Sequence, residues 1–188
     1  MAEGKRHTVF CGSMMDWCDD EAPAGEREKM WPLIKKTPFL MWLLLTKRTE
    51  NIEKCLPNDW WDLDRRRVPK LYTNVALGST IECDEYSYRA SLLSKIPAYA
   101  RFISAEPLLS PLPSLKLKGI DWLIVGGESG AGWREMDKKW ASDLRERCVA
   151  ADVTFFYKQS NGQFSGTDPY LDGKEYKAWP DKFALPLV

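Results

Sequence analysis

Six short apolar runs, each closing in small and polar residues, recur along the chain at intervals of roughly 20 to 32 residues. They are Thr8–Ser13, Leu40–Arg48, Tyr72–Ser79, Arg101–Glu106, Asp121–Glu128 and Val153–Gln159. The intervals are long enough for a helix, so the pattern reads as a succession of βα units. Parallel strands gather their carboxyl ends at one face, which is where α/β folds bind ligands. Strands covered by helices on both faces should read as unbroken apolar runs, and Leu40 to Leu45 and Trp122 to Val125 do so. The expected fold class is therefore α/β, with about six parallel strands and flanking helices.

The connections carry helix signals. Asp19-Asp20 can cap a helix opened by Pro23 that carries Met30, Trp31 and Ile34 towards the sheet. Thr49 can cap a short helix through Cys55, and a third helix near Asp84 to Ser94 places Tyr86, Ala90 and Leu93 on one face. From Asp137, Trp140, Leu144 and Cys148 follow at i, i+4 and i+8, an amphipathic stripe. Residues 107–118 are rich in leucine and proline and read as a loop. Tyr170 to Tyr176 reads as a hairpin around Asp172-Gly173. No composition shift marks a boundary, so residues 1–188 read as a single α/β domain, with βα units over 1–159 and a closing flap over 160–188.

Bulk properties narrow the function. Lys+Arg and Asp+Glu balance at 27 each, so no global field attracts a polyanion, though a local basic patch stays open. No stretch reaches the roughly 18–20 apolar residues of a membrane span, and the N-terminus lacks a signal-peptide core, so a cytoplasmic location is expected. The five cysteines are odd in number and spread out, as free thiols in a reducing compartment would be. Nine tryptophans are many for 188 residues. Trp31, Trp42, Trp122 and Trp140 suit the packing of strands against helices. Trp17, Trp60, Trp61 and Trp133 fall in expected loops and are partner-contact candidates, as is the basic run Arg65, Arg66 and Arg67.

The strand ends supply the ligand-pocket candidates: Ser13, Asp16, Thr46, Lys47, Arg48, Ser79, Glu106, Gly126, Gly127, Glu128, Ser129, Lys158 and Gln159. Asp16, Glu106 and Glu128 would face Lys47, Arg48 and Lys158, either as a salt-bridge network or as a polar ligand site. Glycines after a strand let a ligand approach backbone N–H groups, or serve a turn with positive φ. The run Gly126 to Gly130 is neither a P-loop nor a dinucleotide fingerprint. His7 is the only histidine, which disfavours a Ser-His-Asp or Cys-His pair and excludes a histidine-based metal site.

Taken in order, the stretches Val9–Asp16, Leu43–Arg48, Asn74–Thr80, Arg101–Leu109, Asp121–Gly130 and Trp140–Gln159, with the Leu171-Asp172-Gly173 turn, resemble the blocks of a phage- and prophage-encoded family of radical-SAM-like proteins. The resemblance spans nearly the whole chain and implies a partial (β/α) barrel. In full-length relatives it implies an upstream strand and a loop of three closely spaced cysteines holding an iron–sulfur cluster for S-adenosylmethionine chemistry. This chain has no Cys-x3-Cys-x2-Cys spacing. It is expected to be a short form lacking that segment, with no cofactor and no metal.

Two functions follow as expectations. The first is a cluster-less phage or prophage accessory protein that binds a host protein or ribonucleoprotein complex, inhibiting a defence system such as CRISPR-Cas. Bare nucleic acid is disfavoured as a partner by the neutral net charge. The second is an enzyme that uses the strand-end pocket on a nucleotide or S-adenosyl ligand. The chain reads towards binding rather than catalysis.

Overall fold

A computed structural model of the chain describes residues 6–11, 15–23 and 25–184. Six strands form one parallel sheet in chain order: β1 (His7–Cys11), β2 (Leu40–Thr46), β3 (Val75–Thr80), β4 (Ala100–Ala105), β5 (Trp122–Val125) and β6 (Thr154–Tyr157). Sequential parallel order with helical crossovers is the topology of a partial (β/α) barrel. The unbroken apolar strands are buried throughout: Met41 to Thr46, all of β3 and all of β5. A small antiparallel hairpin joins β7 (Tyr170–Leu171) to β8 (Lys174–Glu175). Its turn residues Asp172 and Gly173 have φ of 52° and 74°, the paired positive values of a type I′ turn, which the Asp-Gly dipeptide suits.

The helices keep part of the expected faces and shift their starts: Trp31, Ile34, Ala90, Leu93, Leu144 and Cys148 are buried, whereas Met30, Tyr86 and Trp140 are only half-buried. Helix α1 (Glu26–Lys36) buries Trp31 and Ile34, with Glu26 and Glu28 in its first turn and Lys35 and Lys36 in its last, matching the helix dipole. Asp19 and Asp20 do not cap it; they hold the preceding loop, where the Asp19 carboxylate accepts the Glu21 N–H and Asp20 pairs with Lys54. Thr49 opens a 3₁₀ turn leading into α2 (Ile52–Cys55). Helix α3 (Tyr88–Leu93) follows a 3₁₀ turn at Asp84–Tyr86. Helix α4 (Lys138–Ala150) is capped by Asp137, whose side chain accepts the Lys139 N–H at 2.9 Å, and buries Ala141, Leu144 and Cys148.

The chain divides into two compact units. The first comprises Met1–Ser79, Leu92–Arg101 and Asp181–Val188; the second comprises Thr80–Ser91 and Phe102–Pro180. In the first unit an aromatic cluster lies beneath the 57–70 loop. The Trp31 ring centroid is 5.9 Å from that of Trp17, 6.0 Å from Trp60 and 5.7 Å from Tyr72, and Trp60 stacks on Tyr72 at 5.0 Å. The Trp60 indole N–H donates to the Pro97 carbonyl at 2.8 Å, and the Tyr72 hydroxyl donates to Asp59 at 2.7 Å. Trp17 and Trp60, expected as partner contacts, are thus core residues, at 3 % and 0 % exposure. An indole finds apolar ring partners more readily than a loop assignment suggests. Trp61 and Trp133 are exposed.

In the second unit Trp122 gathers Phe102, Phe156 and Trp179 around it. The segment from Tyr176 lies along the edge of β6. The Tyr157 N–H donates to the Tyr176 carbonyl, and Lys177 Nζ donates to the carbonyls of Tyr157 and Lys158. The expected flap therefore covers an otherwise unpaired strand edge. Among the described residues no helix is long and apolar enough to cross a membrane.

Replacing Trp60 with Ala should cost roughly 3–5 kcal/mol, the usual range for a buried aromatic. Trp61→Ala should stay within about 0.5 kcal/mol of the parent, as for an ordinary surface change. Urea titrations of the two variants check both values.

Candidate functional site

The first unit's strand ends are knitted together by one carboxylate. Asp16 accepts hydrogen bonds from the Thr46 hydroxyl at 2.5 Å, the Lys47 N–H at 2.9 Å and the Cys18 N–H at 3.0 Å. The Arg48 guanidinium stands 3.4 Å from Asp16 and 3.2 Å from Asp19. Arg27 adds hydrogen bonds to the carbonyls of Trp17 and Asp19. Ser79, at the end of β3, is fully buried, and its hydroxyl pairs with that of Thr49 at 2.5 Å. These groups clamp the loop after β1 to the end of β2. Ser13 lies outside the described residues.

In the second unit Glu106 receives the Ser104 hydroxyl at 3.0 Å and the Lys158 ammonium at 3.1 Å. Lys158 is half exposed while Glu106 is mostly covered, so the ammonium is the accessible end of this pair. Gln159 is 2 % exposed and spends its amide on the chain itself. Its Nε2 donates to the Gly127 carbonyl, and its Oε1 accepts from the Ser165 hydroxyl and the Gly166 N–H. Gln159 thus ties the end of β6 to Gly127 and to the 165–166 loop.

The glycines after β5 have the same character. A Cβ on Gly127 would meet the Asn161 backbone N at 2.2 Å and the Ser160 carbonyl carbon at 2.6 Å. The Gly127 N–H donates to the Gln159 carbonyl, and the Gly126 N–H to the Ala105 carbonyl. The space beside Gly127 is filled by residues 160–161, and the N–H groups of Gly126, Gly127 and Gly130 are all taken by backbone carbonyls. The close approach is of chain to chain.

Glu128 finds a partner that the strand-end set did not contain. Arg134 grips it with two guanidinium hydrogen bonds, at 2.6 and 2.8 Å, and adds its own N–H at 2.8 Å. This fork holds the Glu128 carboxyl well below the usual carboxylate range, at about 2. Arg134 lies in the exposed loop beside Ser129 and Trp133, and no periodicity in the sequence links it to Glu128. Of the three expected carboxylate–cation meetings, the structure forms Asp16–Arg48 and Glu106–Lys158 and gives Glu128 to Arg134 instead.

The cysteines are not placed to hold an iron–sulfur cluster of the three-cysteine kind that the sequence resemblance implied. Cys18 and Cys55 share a hydrogen bond between buried thiols, and burial pushes both upward in pKa. Burial likewise pushes the Cys148 thiol up to about 12. Cys11 ends β1, while Cys83 and Cys148 belong to the second unit. Among the described residues no group of three or more His, Cys, Asp or Glu side chains is placed to hold a metal ion. A three-thiolate loop has no counterpart in this donor set.

A cleft of about 400 Å³ lies within the first unit, and none of the strand-end candidates is among its lining residues. Its walls carry Arg66 and Arg67 from the expected arginine run, together with Lys95, Arg101 and Lys182, which the sequence did not associate with that run. Arg65 is exposed on the same turn. The turn is built by Asp64, whose carboxylate accepts the N–H groups of Arg66 and Val68, both at 2.8 Å.

A family model described as "Protein of unknown function (DUF5131)" matches residues 1–180, and the chain belongs to that family. No curated protein and no solved structure matches the chain.

Two predictions test the strand ends as scaffold. Gly127→Ala forces backbone against backbone and should destabilise the fold at the top of the roughly 1–3 kcal/mol range for overpacking. Gly126→Ala meets mainly the Glu106 carboxylate tip at 3.0 Å and should cost less, by the same denaturation measurement. For Glu128 the folded pKa is depressed, so the ion pair's contribution is complete above the ordinary value of 4.5 and is lost as pH falls towards about 2. Carboxyl-detected NMR should find Glu128 titrating at about 2, and Arg134→Ala should return it towards the ordinary range.

Proposed function

As a member of the DUF5131 family the chain inherits no assigned chemistry, and from its own surface we propose a cluster-less binding module of phage or prophage origin that engages a host macromolecule through the 57–70 loop. One observation carries this reading: the loop is anchored from beneath and armed on its outside. Trp60 is locked in the core by its Pro97 hydrogen bond, and Leu63 bridges Pro69 across the loop. The same loop turns Trp61, Arg65, Arg66 and Arg67 to solvent. A preorganised aromatic residue beside arginines is the usual composition of an interface hot spot, because little ordering entropy is lost on binding.

The resemblance to phage-encoded radical-SAM-like proteins supplies the setting: the bacterial cytoplasm, with a nucleic-acid-guided defence complex of the CRISPR-Cas kind as target and its inhibition as outcome. A second reading, an enzyme acting on a nucleotide or S-adenosyl ligand at the strand ends, draws support from the half-exposed Lys158 on Glu106.

A plasmid-interference assay in cells with an active CRISPR-Cas system separates the two. The wild-type protein should block interference. Trp61→Ala with Arg65→Glu should restore it at least tenfold, while Lys158→Ala should still block. Loss of the block in Lys158→Ala alone favours the enzyme, and a wild-type protein without effect contradicts the defence target.

A further inference from the structure

Arg66, Arg67, Lys95, Arg101 and Lys182 line one cleft, and among the described residues no aspartate or glutamate lines it with them. In a chain whose formal charges cancel, five basic side chains on one cleft are a local concentration of positive charge, with Arg66 shared with Asp64 at the rim. It is assembled from three separate segments, so it is a product of the fold and not of one basic run. We infer that this cleft is a binding site for a phosphate-bearing polyanion, either a nucleoside polyphosphate or successive phosphates of a single nucleic-acid strand.

Each wall is held in place independently of any ligand. Arg67 sits at φ 61° in the turn closed by the Asp64 carboxylate, with its own N–H donating to the Asp64 carbonyl at 2.9 Å. Arg66 Nε also touches Asp64, at 3.2 Å, so Asp64 restrains that guanidinium at the cleft rim without lining the cleft. The Arg101 guanidinium donates twice to the Ile96 carbonyl, at 2.9 and 2.6 Å, which fixes its plane. The Tyr99 hydroxyl donates to the Lys182 carbonyl at 2.7 Å and ties the third segment down. Beneath them the Trp60–Pro97 hydrogen bond joins the 57–61 stretch to the 94–101 stretch.

The chemistry favours phosphate over other anions. Arg67 offers a planar fork that matches phosphate oxygens, Arg66 and Arg101 add the guanidinium N–H groups not engaged by Asp64 and Ile96, and two ammonium groups add point charges. The volume is in the range of small-molecule sites and suits about one nucleotide. An acidic peptide would need a deep apolar anchor pocket beside its carboxylates, and among the described residues the non-polar lining is Val68, Pro97, Ala98 and the Tyr99 ring. The site goes beyond the binding-module reading, since it requires no host complex and is measured on the purified protein alone.

Titrations at 50 mM salt with ATP, inorganic tripolyphosphate, a fluorescein-labelled deoxythymidine decamer and a decaglutamate peptide test it. At least one phosphate probe should bind, and decaglutamate at least tenfold more weakly. Preference for the decamer, with log K falling against log salt at a slope of about −2 or steeper, identifies a strand. Equal or tighter binding of ATP or tripolyphosphate identifies a free polyphosphate. Arg67→Asn with Lys95→Glu, and Lys95→Glu alone, should weaken binding at least tenfold and at least threefold respectively, with unchanged circular dichroism melts. Asn is chosen because it tolerates positive φ. No binding by any phosphate probe, equal binding of decaglutamate, or binding unaffected in folded variants overturns the inference. Failure of the interference assay with phosphate binding intact would remove the defence target and leave this site standing.

Discussion

The exposed chemistry of the first unit depends on a hydrogen bond among aromatic rings. Trp60 donates its indole N–H to the Pro97 carbonyl while its rings lie against Trp31 and Tyr72. Indole buried without an acceptor would carry the cost of an unmet donor; here the donor is met by a carbonyl from a distant segment. That one bond sets the arginine turn and the 94–101 segment at a defined separation. Trp61, the next residue, faces solvent, so anchor and display share a single 3₁₀ turn at Asn58–Trp61.

The strand ends follow a different logic. Their polar residues satisfy each other and the loops they support: Asp16 collects three hydrogen bonds, Gln159 three, and Gly127 admits the chain's own backbone. Buried polar groups persist where they are paired, and a network of paired groups gives rigidity. This leaves Lys158 as the accessible member of the Glu106 pair, while the loops carry the larger concentration of exposed charge.

Much of the fold was legible because strand burial writes itself into composition. Leu40 to Leu45 and Trp122 to Val125 had to be covered on both faces, and Asp172-Gly173 had to turn. The Asp137 cap and the Leu144–Cys148 stripe were readable for the same local reasons. The site was less legible. Polar residues after a strand look alike whether they hold a ligand or a loop, so Gln159 and Gly127 read as pocket groups until residues 160–166 were seen against them. Trp17 and Trp60 read as surface residues because loop position says nothing about which rings meet across the chain. Lys95, Arg101 and Lys182 join Arg66 and Arg67 only through tertiary structure, and no spacing announces them.

The proposed recognition surface is the basic cleft and its loop, with the strand ends as its support. A ¹⁵N–¹H NMR titration with the phosphate probe that binds reads this residue by residue. Shifts should concentrate at 66–68 and 94–101, with Glu106, Gly127 and Lys158 unmoved. Shifts concentrated at those three strand-end residues, with the cleft silent, would contradict it.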